Sequence, residues 1–379
     1  MSNEWIQQCK DFSQKVILPQ FMIFDRENRF PDTIHMAAKE WGIMNHDFPS
    51  SLGGGGLPDG VLVQGAEILA SVCAPTAFTM GFNRGALHPL MIAGTPEQKE
   101  RIVQFCIEHH KYAALCLTEP SESGSHIMNV RTVAKRSDRG WVISGTKSMV
   151  GNGGVADFFV VLAHVVEHGE KKGLSFFIVP RGLGVEVGPN NDKLGFRAVE
   201  TPTVDFHECL IPFDNQIAQT GSGADILMHT LAAIRLGGSA VICGLVRGAL
   251  CDVMPWVEER QVYGGRLIHK SHIQLKLGAL YGRLLSVRQE VQRCAWLREN
   301  HRPYHTQASL AKLHAAELAL EATAEIVQMF GWRGIDNQYP IQKRYRDARQ
   351  TTIFEGTSEV QKSNLFHLLW KTWREDHDV

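Results

Sequence analysis

The 379 residues carry a formal net charge of −1, a pI near 7.0 and 44% hydrophobic residues, which excludes a disordered chain and leaves no basic excess for nucleic acid. The length supports a large core and more than one domain. The opening residues MSNEWIQQCKDF lack the basic-then-apolar order of a signal peptide, and the longest apolar run, LAAIRLGGSAVICGLV, carries Arg235, so no membrane span is expected.

Residues 1–112 read as a helical domain. PDTIHMAAKEWGIM and EQKERIVQFCIEHH have helical spacing, and Thr95 followed by Pro96 supplies a start signal. SLGGGGLPDG (51–60) lacks the lysine and the strand-loop-helix context of a phosphate loop and is expected to be a flexible turn between helices. From 113 to 218 the period shortens. AALCLTEP, VRTVAKRS, GWVISGTKSMV, DFFVVLAHV, LSFFIVPRG and PTVDFHECLIP are short apolar runs broken by Gly, Pro, Asp and Asn, the pattern of a β-barrel or sandwich. From 219 to 379 helices return. In LAKLHAAELALEATAEIVQMF, Leu313, Ala316, Leu320, Ala324 and Val327 recur at helical spacing and predict one apolar face. The expected architecture is α+β and multidomain: an N-terminal helical domain, a central β-barrel or sandwich and a C-terminal four-helix bundle.

The eight cysteines show no CxxC or metal-like spacing and read as reduced thiols of a cytoplasmic protein. The seventeen histidines show neither HExxH nor pairing with carboxylates, so no metal is expected.

The chemistry-bearing segments are LCLTEPSESGS (115–125), GTKSMVGNGGVADFFVV, KLGFRAVETPTVDF, ERQVYGGRLI, QMFGWRGI and YRDARQTTIFEGTSEVQ. In that order and spacing they resemble the acyl-CoA dehydrogenase family over essentially the whole chain. The resemblance implies an FAD held between the β-domain and the C-terminal bundle, with an acyl thioester laid against it. It assigns Leu115, Leu117, Thr118, Gly124, Ser125, Met149 and Gly151 to the flavin, together with Thr357 and Glu359. Arg260 and Tyr263 of one subunit, with Gln328, Gly331 and Trp332, would meet the FAD of the next, implying a homodimer or homotetramer. Read as a bare sequence, TEPSESGS is also an ordinary polar turn and EERQVYGG a helix end with a glycine stop.

Removing an α-proton from a thioester requires a base, and a partly desolvated carboxylate has its pKa raised toward the working pH. Glu355 meets that requirement. Ile353 and Phe354 bring apolar walls, and Gly356 lets backbone approach substrate. EGTS also reads as a helix start with Thr357 or Ser358 as cap. Some family members place the base beside an arginine on another helix. Here the neighbour of Arg235 is Ile234, which cannot take a proton, so Glu355 is expected to act alone. Arg235 lies in an apolar helix and needs a partner, either at the base or in helix packing.

Met149 stands where the family has Trp or Phe against the flavin, Gly151 where it has a hydroxyl, His126 at an Asp position and Val199 at a serine. These departures keep three further readings in play: the same chemistry on an acyl-carrier-protein substrate, an oxygen-using oxidase or hydroxylase, and a non-catalytic scaffold. An electron-transferring flavoprotein is the expected acceptor. Arg84 and His88, at i and i+4 in the segment aligned with the acyl pocket, predict a short acyl group or one with a polar substituent.

Overall fold

The computed structural model describes residues 2–121, 124–126, 128–182 and 184–376. The chain opens with helices α1 (Ser2–Phe12), α2 (Phe21–Glu27), α3 (Asp32–Glu40), α4 (Asp59–Val72), α5 (Ala74–Ala93), α6 (Pro96–Lys99) and α7 (Phe105–His109). The start signal works as expected. Thr95 Oγ1 accepts the Gln98 N–H at 3.2 Å and Gln98 Oε1 accepts the Thr95 N–H at 3.0 Å, a reciprocal cap.

The glycine run is tighter than the flexible turn expected. Gly54, Gly55 and Gly56 donate their N–H groups to the carbonyls of Pro49, Asn45 and Phe48 at 3.1, 3.1 and 2.9 Å. A Cβ on Gly54 or Gly55 would overlap Phe48 or His46. The glycines are there because the chain folds back on itself too closely for side chains.

All six expected strands form: β1 (Ala113–Cys116), β2 (Val133–Ser137), β3 (Gly140–Lys147), β4 (Phe158–Glu167), β5 (Glu170–Pro180) and, after a short β6 (Val185–Val187), β7 (Val204–Ile211). With β8 (Gln216–Ile217) they make one sheet in the order β6-β7-β3-β2-β4-β5-β8, and β1 pairs in parallel with β4. Strand β4 reads as a continuous apolar run because both its faces are covered. Phe158, Val160 and Leu162 pack with Leu87 and Leu90 of α5, while Phe159, Val161 and Ala163 face a second core with Ile143 and Phe206. The sheet curls, since Trp141 of β3 reaches Phe177 of β5 across the two intervening strands, with ring centroids 5.5 Å apart.

Helix α8 (Gly223–Glu259) begins the C-terminal bundle and runs beside α4 and α5. It is long and apolar enough to cross a membrane by length and composition, but 72% of its most apolar window is buried inside the protein. It is the central helix of the fold. A tight hairpin follows, β9 (Gln261–Val262) and β10 (Gly265–Arg266), turning at Tyr263 and Gly264 with φ of 44° and 74°. This replaces the glycine-stopped helix end that EERQVYGG also suggested. Helices α9 (Ser271–Glu299), α10 (His305–Phe330), α11 (Pro340–Thr351) and α12 (Ser358–Asp376) complete the chain. The predicted face of α10 is rotated. Leu313 and Ala316 are buried, but Leu320 and Val327 are only partly so and Ala324 is exposed. Buried as well are Ala308, Ala311, Lys312, Ala315, Leu318, Ala319, Ala322 and Ile326, positions on more than one face. Helix α10 packs against α8, α9 and α11, and close packing on several sides selects alanine over the larger residues.

A buried ion pair joins the ends of β1 and β3. Lys147 Nζ lies 2.9 Å from Glu119 Oε1 and 3.1 Å from the Leu117 carbonyl, with the two side chains 0% and 4% exposed. Glu119 also accepts the Arg131 and Thr132 N–H groups at 2.8 and 2.9 Å and the Thr132 hydroxyl at 2.6 Å. Burial raises the Glu119 pKa, and Lys147 with these donors more than offsets it, so the carboxylate ends below its ordinary value. Lys147→Met would leave that carboxylate buried without its cation. It should cost about 3–5 kcal/mol of stability, read as a lower urea midpoint at unchanged slope, and an unchanged midpoint would contradict the role given to the pair.

Candidate active site

Glu355 lies in the short turn between α11 and α12. Its backbone is left-handed, with φ of 55°, followed by Gly356 at 91°. Two consecutive residues in this region reverse the chain and aim the carboxylate inward, an arrangement that costs free energy at a non-glycine position. Tethers hold it. Arg235 Nε and Gln361 Nε2 both donate to the Glu355 carbonyl at 3.3 Å, and Lys312 Nζ and Gln361 Nε2 donate to the Gly356 carbonyl at 2.6 and 3.0 Å. Thr357 Oγ1 accepts the Val360 N–H at 3.2 Å, so the cap of α12 and the aiming of Glu355 are one structure. Glu359 is exposed in the first turn of α12.

The carboxylate itself is left free. Glu355 Oε2 is buried with no hydrogen-bond partner. It sits against Gly238 of α8, where any Cβ would overlap it. Burial pushes its pKa up to about 8, against the pull of Lys312 and Arg235. Burial likewise draws Lys312 down to about 8, with Glu355 opposing. Arg235 also reaches Ser309 Oγ at 3.4 Å, so it ties the Glu355 turn to α10. Of the two expected walls, Phe354 packs inward on Phe78 and Phe196, with centroids at 5.0 and 5.1 Å, whereas Ile353 is 54% exposed. The inward turn at 355 carries Phe354 to the core and leaves Ile353 outside.

Lys312, Gln361 and Gly238 were not singled out in the sequence. Lys312 could have been found as the one lysine of the alanine-rich α10. Gly238 is signalled by the pair Gly237–Gly238 inside a helix, where glycine costs about 1 kcal/mol relative to alanine without a packing reason.

The flavin-assigned segments also come together. The Ser148 N–H donates to the Thr118 carbonyl at 2.8 Å, joining the end of β1 to the end of β3 beside the Glu119–Lys147 pair. Val150 and Asn152 donate to Pro202 and Glu200 at 3.1 and 2.9 Å, and neither the Met149 nor the Gly151 N–H is used in that set. Met149 is exposed with φ of 53°, Leu115, Leu117 and Thr118 are half-buried, and Gly124 and Ser125 are exposed. Glu122 and Ser123 of the same turn lie outside the described residues. An apolar rim with outward backbone donors fits a flat heteroaromatic ring with a polar edge, and these residues would hold the flavin. The third group gathers around Trp256. Arg260 lies 5.5 Å above its ring, Phe330 stacks on it at 5.3 Å and its Nε1 donates to the Met329 carbonyl at 2.8 Å. Gln328, Gly331 and Trp332 follow on the same turn and are exposed, and Tyr263 is 99% exposed.

The reading of Arg84 and His88 as groups offered to the substrate is corrected. Arg84 Nη2 pairs with Asp59 Oδ1 at 2.7 Å, and Arg298 reaches the same oxygen at 3.2 Å. The guanidinium already has its carboxylate. His88 is buried and burial, with Arg298 and Arg84, holds its pKa well below the ordinary value, so it is neutral. A cavity of about 270 Å³ lies beside it, lined also by Met91, Ile92, His229 and Tyr304. The ground for a polar acyl substituent is thereby lost.

Family models for the acyl-CoA dehydrogenase N-terminal, middle and C-terminal domains match residues 2–109, 114–209 and 221–367. The chain is 32% identical to the short-chain specific acyl-CoA dehydrogenase, mitochondrial, of Mus musculus, over 97% of this chain and 90% of that one. It superposes on butyryl-CoA dehydrogenase of Megasphaera elsdenii with a TM-score of 0.93 at 28% identity, covering 97% of this chain and 98% of that one. A chain in a structure described as the electron transferring flavoprotein of Acidaminococcus fermentans gives 0.93 at 28% identity, covering 97% of each. The chain therefore belongs to the acyl-CoA dehydrogenase family, the FAD-dependent flavoprotein oxidoreductases that act on acyl-CoA.

Proposed function

We propose that this protein α,β-dehydrogenates a short-chain acyl thioester, with Glu355 as the base that removes the α-proton. The observation that carries this reading is the buried, unpartnered Glu355 Oε2, held by backbone tethers rather than through its own oxygens. A carboxylate so placed is raised in pKa and free to accept a proton, whereas a structural carboxylate has its lone pairs filled. FAD, when bound, supplies the hydride acceptor for the β-hydrogen. Phe354 and Phe196 exclude water from the base, and Lys312 and Arg235 favour its ionised form.

The short-chain relatives support coenzyme A as carrier and a short acyl group. The A. fermentans structure supports an electron-transferring flavoprotein as acceptor. Exposed Tyr263 and Trp332 beside Arg260, with Leu275, Tyr281 and Leu285 exposed on α9, support a homo-oligomer in which the Trp256 cluster completes a neighbour's flavin site.

Glu355→Gln should keep fold and FAD but lose turnover by about 100-fold or more. Anaerobic bleaching of the flavin by butyryl-CoA at the unchanged rate would place the base elsewhere.

The pH dependence follows from the raised pKa. A base that must be ionised makes kcat/KM climb with pH through about 8. Lys312 and Arg235 face Glu355, and Glu359 acts on Lys312. Removing the ammonium raises the carboxyl further, so Lys312→Met should move the rising limb to higher pH. A profile already flat from about pH 6 to 9, or a limb moved to lower pH, would contradict this.

A further inference from the structure

We infer that Phe78 and Phe82 set the chain-length limit of this site by closing the space between Gly151 and Glu355 to acyl groups longer than butyryl. The inference rests on Glu355 being the base. The two phenylalanines stand at i and i+4 on α5, so one helix face carries both rings. Their centroids are 4.9 Å apart, edge to face. From there the aromatic wall continues to the base. Phe78 lies 5.0 Å from Phe354, the neighbour of Glu355, and 5.5 Å from Phe196, which itself contacts Phe354 at 5.1 Å.

At the other end the wall reaches the flavin-facing turn. A Cβ on Gly151 would overlap Cε1 and Cζ of Phe82. Gly151 is the position at which the family carries a hydroxyl, and the Phe82 ring stands against it. The Phe82 ring can stand there only because residue 151 has no side chain.

Beyond Phe82, α5 packs on α8. A Cβ on Gly85, three residues further along, would stand in van der Waals contact with Ile234 Cγ2 at 3.5 Å. An acyl chain entering between Gly151 and Glu355 thus meets phenyl rings within the first few carbons. Phe78 and Phe82 are both half-buried, so neither ring is wholly enclosed by the protein. Phe78 is fixed by three aromatic neighbours. Phe82 has one, and is the ring whose removal opens the channel with least damage.

The test uses the FAD-loaded full chain with coenzyme A thioesters of four, six and eight carbons, read by anaerobic flavin bleaching. A second readout needs no turnover: the dissociation constants of butyl and octyl thioethers of coenzyme A, which lack the carbonyl that acidifies the α-proton. Wild type should favour butyryl over octanoyl by about 100-fold or more, and butyl over octyl in binding. Phe82→Ala should raise the octanoyl-to-butyryl and octyl-to-butyl ratios by about 10-fold or more, since each added methylene then finds apolar surface. Phe82→Leu should raise both ratios by less, and stands in should the alanine variant fold poorly. Octanoyl matching butyryl in wild type, or ratios unchanged in both variants, would overturn the inference. If no thioester bleaches the flavin but the thioether ratios shift as stated, the wall stands and the proposed reaction falls.

Discussion

The ends of β1 and β3 must be held together if a flavin-facing surface is to exist at all, and the Glu119–Lys147 pair is what holds them. Leu117 and Thr118 leave β1 as Ser148 and Met149 leave β3, and neither segment has a ladder to fix it beyond that point. Lys147 Nζ reaches the Leu117 carbonyl and Glu119 together, while Ser148 bonds Thr118 directly. The pair is dry, so its electrostatic attraction is strong, and its remaining lone pairs are taken by Arg131 and Thr132. Met149 and Gly151 owe their placement to this clamp.

Three lysines are fully or nearly fully buried, and their partners separate scaffold from chemistry. Lys147 has Glu119, and Lys343 has Asp347 at 2.6 Å, a carboxylate that also accepts the Phe196 N–H at 2.6 Å. In both pairs the acid is saturated. Lys312 is bonded instead to the Gly356 carbonyl, next to an acid whose buried Oε2 has no partner. The same ingredients, a buried ammonium and a buried carboxylate, thus give rigidity where they touch and basicity where they are held apart. The tethers at 355 and 356 act on backbone oxygens, so they fix the position of the Glu355 carboxylate without occupying its acceptors.

Much of this was legible in the residues. Strand β4 could be read because an apolar run bounded by Asp157 and a hairpin has few other uses, and Glu355 because a carboxylate between Phe354 and Gly356 is an unusual expense of burial. The aid of the family resemblance lay in joining segments far apart in sequence. The misreadings share a cause. Arg84, Ile353 and the α10 stripe were judged from neighbours in sequence, whereas their environments come from distant ones. Asp59 is supplied by another helix, the reversal at Glu355 turns Ile353 outward, and α10 is packed on several sides. Periodicity reports one buried face and cannot describe a helix with several. Lys312 escaped notice for the same reason, since its partner carbonyl lies 44 residues away.

The departures at 149 and 151 look, in sequence, like losses: a hydroxyl gone and an aromatic replaced by methionine. In the fold they belong to a change in how the pocket is filled. Phe82 can stand where it does only because Gly151 has no side chain, and the Phe78–Phe196–Phe354 cluster continues that ring toward the base. Met149 is exposed, with its sulfur 3.3 Å from Asn191 Nδ2. A thioether is unbranched and polarisable and can adapt to a ring laid over it, where an indole would be rigid. Beneath these placements lies one requirement: apolar rings packed densely enough around Phe354 to keep water from Glu355.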